Sequence, residues 1–337
     1  MTDVVKAAGL IAIEAEMARQ NADALGAFHA AKEAAETIAA SLRRTRRLLL
    51  LGMGGSHAVG RAVEPLYRDL GIDAVALPLS EQLGQPLPLA GRTLIVTSQS
   101  GESAEVLRWF AEARPISDVF GLTMEASSSL AGLAPGLIGA GGLEKGFAAT
   151  RSIMVTLALH AAVLAALGVD MCAALAVLAA PETLDISQAL AVMTPVTTIV
   201  TSGRRLQGLA EALALGLIEL SRLPSFALEG GQMRHGPMEM LCPAVGIVLF
   251  RAQDATAGFI DSLAQSAVAT GAPVVIFDAS GAPPLAGAVT VAVAPARDMA
   301  AILALLPAVQ HFMLGFAAQR VADVGTPLRT QKITRTE

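Results

Sequence analysis

Short apolar runs recur along this chain. Most are followed by a small polar loop and then by apolar positions at helical spacing. Leu94-Ile-Val-Thr97 has no polar interruption and predicts a strand buried on both faces. Residues 104–113 follow it as a helix, with Val106, Leu107 and Phe110 on one side. The same alternation places strands at Leu48–Leu51, Ala74–Leu77 and Val119–Thr123, and helices at Ala58–Leu70 and from Arg151 to Leu167. Residues 7–42, ahead of the first strand, form an alanine-rich helical segment. Pro181–Pro195 is expected to be a connection, after which the pattern restarts. Strands are predicted at Thr198–Thr201, Gly246–Phe250, Pro273–Asp278 and Val289–Ala292, with helices at Leu206–Leu220 and Ala300–Val321. The halves repeat at an offset of about one domain. The expected fold is α/β, with two tandem doubly wound parallel sheets, each an α-β-α sandwich of flavodoxin-like type. The expected divisions are 1–44 (helical), 45–180, 181–325, and a tail at 326–337.

Composition fits this picture. Hydrophobic residues make up 53% of the 337 residues and aromatics only 4%, so the core must be built from Ala, Leu, Val and Ile. The net charge of −5 and the lack of a basic block argue against nucleic acid as a partner. Ile153–Val169 is about the minimum length for a membrane span. It contains Thr156 and His160 and lies between Arg151 and Asp170, so it is read as a buried helix and no membrane is expected. Asp3, Glu14 and Glu16 interrupt the N-terminal apolar pattern, which excludes a signal peptide. Cys172 and Cys242 have neither metal-ligand nor CxxC spacing, so a reduced, cytoplasmic setting without metal is expected.

Candidate chemistry begins after the strand at Leu94. Ser98, Gln99, Ser100, Gly101 and Ser103 precede a helix. Small hydroxyls and free N–H groups at a helix start suit an anion. An ordinary serine-rich turn capping the helix would have the same composition. Gly52-Met-Gly-Gly-Ser-His57 invites a dinucleotide reading, with Asp73 about 20 residues on. Two features oppose it. His57 stands where the third glycine belongs, and Asp73 precedes its strand instead of ending it. Glycines that let Ser56 and backbone amides approach a small ligand fit better.

Glu219 lies near the end of an apolar helix that Pro224 stops. A carboxylate at the negative end of the helix dipole favours its protonated form, which suits a base working on carbon-bound protons. It could equally be a solvated helix-end glutamate. His235 sits in the Gly- and Pro-bounded loop Glu229–Pro237, where an imidazole is presented and can move a proton between oxygens. His29, His160 and His311 fall within helical patterns and read as core or surface. The tail Thr326–Glu337, carrying Lys332, either hangs free or closes over a site.

In order and spacing these motifs resemble the sugar isomerase (SIS) family in its tandem form, which includes the isomerase domain of glucosamine-6-phosphate synthase. The resemblance covers about residue 45 to 337. It rests on Gly54-Gly-Ser56, Ser98-Gln-Ser-Gly-Glu-Ser103, Phe147-Ala-Ala-Thr-Arg151, Arg234-His-Gly-Pro237, Pro327 and Lys332. It implies that Gly54, Gly55, Ser56, Ser98, Gln99, Ser100 and Ser103 hold a sugar phosphate, with Ala148 and Ala149 beside the sugar. It implies Glu219 as the base between C1 and C2, His235 as the ring-opening group reaching across a homodimer, and Lys332 as the tail lysine that closes the site. No cofactor is implied. One departure stands out: the synthase has a lysine three residues before the base, and here that position is Gly216. Position 2 is not cysteine, so glutamine is not expected to supply ammonia within this sequence. The implied reaction is aldose–ketose isomerisation of a hexose 6-phosphate or amino-hexose 6-phosphate, possible with deamination. The alternatives are a non-catalytic sugar-phosphate sensor and a deglycase of phosphorylated sugar–amine adducts.

Overall fold

The computed structural model describes residues 6–84, 86–112 and 118–336. The chain divides into two compact units. The first comprises Ala15–Ala179 together with Pro327 onward, and the second comprises Ala180–Thr326 with the residues up to Glu14. The tail therefore belongs to the unit that precedes it by a whole domain, and the division at the other end falls inside the first helix. Asp3 and the end of the predicted 104–113 helix lie outside the described residues.

In chain order the first unit carries α1 (Ala8–Ala30, which crosses the division), α2 (Lys32–Thr45), β1 (Arg47–Gly52), α3 (Gly55–Asp69), β2 (Asp73–Pro78) and α4 (Glu81–Gly84). It continues with β3 (Thr93–Thr97), α5 (Ala104–Glu112), β4 (Val119–Thr123), α6 (Ser129–Leu133), β5 (Gly136–Ile138), α7 (Arg151–Ala166) and α8 (Cys172–Ala179). The second unit carries α9 (Ser187–Met193), β6 (Thr198–Ser202), α10 (Gln207–Ser221), β7 (Ser225–Ala227) and α11 (Gly230–Arg234). A 3-10 turn (Pro237–Met240), β8 (Val245–Ala252), α12 (Ala257–Ala269), β9 (Val274–Ala279), β10 (Val289–Ala292) and α13 (Asp298–Ala318) complete it.

Each unit is built on one five-stranded sheet, ordered β2-β1-β3-β4-β5 in the first and β7-β6-β8-β9-β10 in the second. All described strand pairs are parallel. Renumbered from its own first strand, the second sheet repeats the order of the first, and the fold is α/β and doubly wound as expected. Leu48–Leu51 are buried without alternation because helices cover both faces of the sheet. α7 is buried nearly all round, which explains why it is apolar without a polar face. Among the described residues one helix, α13, is long and apolar enough to cross a membrane. It is a core helix, packed against α10, α9 and β9, and of Ile153–Val169 the part up to Leu164 is buried as well.

Several local expectations shift. β5 and β7 are three-residue edge strands that carry too little pattern to be seen. α9 forms inside the expected connection. β8 runs on through Arg251 and Ala252, two residues past the predicted strand end at Phe250. On α5 the buried residues are Val106 and Trp109. Phe110 is half-buried, edge-on to Trp109 at 4.9 Å, and Leu107 is half-buried too.

Candidate functional site

In the first sheet the chain leaves β1 in one direction, towards β2, and β3 in the other, towards β4 and β5. The β1/β3 boundary is thus the switch point, where open α/β sheets bind ligands beyond the carboxyl ends of their strands. Gly52 and Thr97 are the last residues of these strands and are register partners. The two candidate loops therefore leave the sheet side by side.

The first loop turns on Gly54, whose φ is 51°, and enters α3 a turn earlier than the periodicity indicated. Gly55 and Ser56 lie in that first helical turn. A side chain at Gly55 would meet Ala149 Cβ at 3.4 Å, so the structure brings these two candidates together. His57 follows them in α3, half-buried.

The second loop is internally braced. The Gly101 N–H donates to Ser98 Oγ at 3.1 Å, and the Glu102 N–H donates to Ser100 Oγ at 3.2 Å. Ser98 Oγ and Ser103 Oγ are 2.9 Å apart and share a proton. Gln99 C=O accepts from the Met124 N–H at 3.0 Å and from Thr123 Oγ1 at 3.3 Å. Gln99 Nε2 is buried and has no hydrogen-bond partner among the described residues. Gly101 has φ 67°, and a Cβ there would collide with Ser128 Oγ, so this position requires glycine twice over.

The tail packs onto this unit. Thr334 C=O accepts the Ala104 N–H, the first amide of α5, at 2.9 Å. Lys332 Nζ donates to Glu144 Oε2 at 3.1 Å and to Phe147 C=O at 3.2 Å. Glu144 has no side-chain exposure. Its carboxylate also accepts from the Thr150 and Ser152 N–H groups (2.9 and 3.2 Å) and their hydroxyls (3.2 and 2.6 Å) at the start of α7. Glu144 carries no sequence motif that marks this role. A carboxylate that caps a helix from six residues upstream leaves no periodic signal. Ala148, buried, and Ala149, half-buried, lie between Phe147 and this cap. Behind them Arg151, fully buried, is tied to Glu16, Asp23 and the carbonyls of Ala140 and Gly142. Burial would raise the Glu16 pKa, but the Lys145 N–H, Arg151 and Arg19 together hold it below the ordinary value.

In the second unit Glu219 lies in the last turn of α10 and is half-buried. Gly216, one turn earlier, is buried, and any Cβ there would collide with Met313 Sδ on α13. The volume a lysine stem would need at this position is filled by a methionine. His235 is exposed at the end of α11, followed by Gly236 at φ 111°. Glu229 caps α11 through the Gly231 and Gln232 N–H groups (2.7 and 3.1 Å) and receives Arg204 Nη1 at 3.0 Å. This ties the histidine's helix to the β6–α10 loop. Of the other histidines, His160 is buried and His29 and His311 are exposed.

The place equivalent to the serine loop in the second sheet is closed by the protein itself. Arg251, fully buried, forms a bidentate pair with Asp278 (2.9 and 2.7 Å) and also meets Asp261 at 2.5 Å. Among the described residues no group of His, Cys, Asp and Glu is arranged to hold a metal.

No protein-family model matches the sequence, and no curated protein does. Solved structures do match in shape over nearly the whole chain. The C-terminal domain of glucosamine-fructose-6-phosphate aminotransferase from Francisella tularensis superposes with a TM-score of 0.81 at 18% identity, covering 94% of this chain and 98% of that one. Tagatose-6-phosphate ketose/aldose isomerase from Escherichia coli gives 0.78 at 20%, covering 97% and 100%. Glucosamine-6-phosphate deaminase from Thermotoga maritima gives 0.67 at 19%, covering 92% and 99%. The fold of this chain is the one these proteins share.

Proposed function

We propose that the protein is a tandem SIS-type phosphosugar isomerase. In this reading Ser98, Gln99, Ser100 and Ser103, with Gly54–Ser56, hold the phosphate of an open-chain hexose 6-phosphate or amino-hexose 6-phosphate. Glu219 moves a proton between C1 and C2. His235 assists ring opening from a second subunit of a homodimer, and Lys332 on the tail closes the site, with Ala148 and Ala149 beside the sugar. The observation that carries the reading is the donor loop at the β1/β3 switch point, with an unpartnered Gln99 amide and the tail lysine anchored within the same unit. The shared fold with a ketose/aldose isomerase supports it.

A second reading keeps the same residues and adds loss of ammonia from a 2-amino sugar. It is favoured by the likeness to a structure described as a deaminase. Hexose 6-phosphates with their 2-amino and N-acetyl forms, assayed for ketose and for ammonia without added glutamine, separate the two. On the substrate that turns over, Glu219→Gln is expected to lower kcat by about 10²- to 10⁴-fold, as for loss of a general base. Full turnover by that variant would falsify the mechanism. Phosphosugar binding without turnover by the wild type would select a sensor.

A further inference from the structure

A loop read as an anion cradle carries one residue of the wrong sign. Glu102 lies between Gly101 and Ser103, and its backbone N–H donates to Ser100 Oγ at 3.2 Å. Its carboxylate is spent on the next loop of the sheet. The Ser129 N–H donates to Oε1 at 2.6 Å and Ser129 Oγ donates to Oε2 at 2.9 Å, so both oxygens are engaged at the start of α6. Neighbouring contacts run between the same two segments. The Leu130 N–H donates to Gly101 C=O at 3.1 Å, the Met124 N–H donates to Gln99 C=O at 3.0 Å, and Gly101 packs against Ser128. Among these links the Glu102 pair is the bidentate one, with both carboxylate oxygens on a single residue, and its exposure to solvent screens the charge.

We infer that Glu102 is a positioning residue for the phosphate cradle. It clamps the β3–α5 loop to the β4–α6 segment and keeps its own charge occupied by Ser129. The inference rests on the reading of Ser98–Ser103 as a phosphate site. What matters is the pair of bonds, and the charge is secondary. A glutamine can still accept the Ser129 N–H through its oxygen and bond Ser129 Oγ through its nitrogen, whereas alanine can do neither.

The test is titration of the full chain with inorganic phosphate, followed by the backbone amide shifts of residues 98–103. Wild type is expected to respond. If it does not, the phosphate-site reading itself fails, which is distinct from failure of the clamp. Glu102→Ala is expected to bind phosphate about tenfold more weakly and to raise KM for the phosphorylated substrate with little change in kcat, while Glu102→Gln stays within about twofold of wild type. Wild-type affinity in the alanine variant overturns the clamp, and so does a glutamine variant as weak as the alanine one. Should Glu102→Ala not fold, Ser129→Ala removes only the hydroxyl bond and is expected to weaken phosphate about threefold. Unchanged affinity there overturns the inference as well.

Discussion

Ser98 Oγ accepts the Gly101 N–H and shares one proton with Ser103 Oγ. Two hydroxyls have two protons between them, and one is used inside the pair, so one remains to give outward. Ser100 is different. Its oxygen accepts the Glu102 N–H, and its proton is not committed to any described hydrogen bond. The serines should therefore be unequal. Ser100→Ala removes a donor that nothing replaces and is expected to raise KM for the phosphorylated substrate about tenfold. In Ser103→Ala the Ser98 hydroxyl is released to point outward, so a rise of no more than about threefold is expected. Steady-state kinetics on both variants checks the order, and equal effects would show that the proton is not shared in this way.

Helices α3 and α7 meet through a buried polar contact. Tyr67 Oη lies 3.0 Å from His160 Nδ1, and both groups are fully buried. Burial lowers the His160 pKa from 6.5 to about 4 and raises that of the Tyr67 phenol. The unfolded chain then takes up a proton before the folded one as pH falls. The resulting stability is complete above pH 6.5 and is lost as pH drops from 6.5 to 4, by on the order of 3 kcal/mol. Urea midpoints of wild type minus His160→Gln, followed from pH 7 to 4, should show a difference that shrinks across that window. A constant difference would mean the imidazole is not held neutral.

At this same scale the sequence was informative where patterns were long. The unbroken apolar runs at Leu48, Leu94 and Gly246 marked central strands because burial on both faces removes polar positions. The loop after β3 was legible through its order and spacing relative to Gly54-Gly-Ser56 and Arg234-His-Gly-Pro237, because an ordinary capping turn shares its composition. Edge strands β5 and β7 escaped because three residues cannot carry a period. Val106, Leu107 and Phe110 were placed together on one side of α5, whereas its buried residues are Val106 and Trp109. Glu144 and Glu102 escaped for another reason. Each acts by capping a segment distant in sequence or across a loop, and that follows only from three-dimensional proximity.

Over the whole molecule, two sheets of one topology have been put to different uses. One presents donors at its switch point. The other fills the corresponding end with Arg251, Asp278 and Asp261. A guanidinium so buried is stable only while its partners remain, and removing one member of such a cluster leaves an uncompensated charge. Arg251→Ala is expected to destabilise the protein by about 3–5 kcal/mol, while Arg251→Met together with Asp278→Leu recovers much of that loss. Calorimetric or denaturant unfolding of the single and double variants decides this. A single variant as stable as wild type would show that the triad does not support the second sheet.

The strap bearing Lys332 is made after the whole second unit yet docks on the first. The first unit is therefore discontinuous in sequence, interrupted by all of Ala180–Thr326. A fragment ending before Pro327 would keep the serine loop but leave the buried Glu144 carboxylate without the Lys332 ammonium.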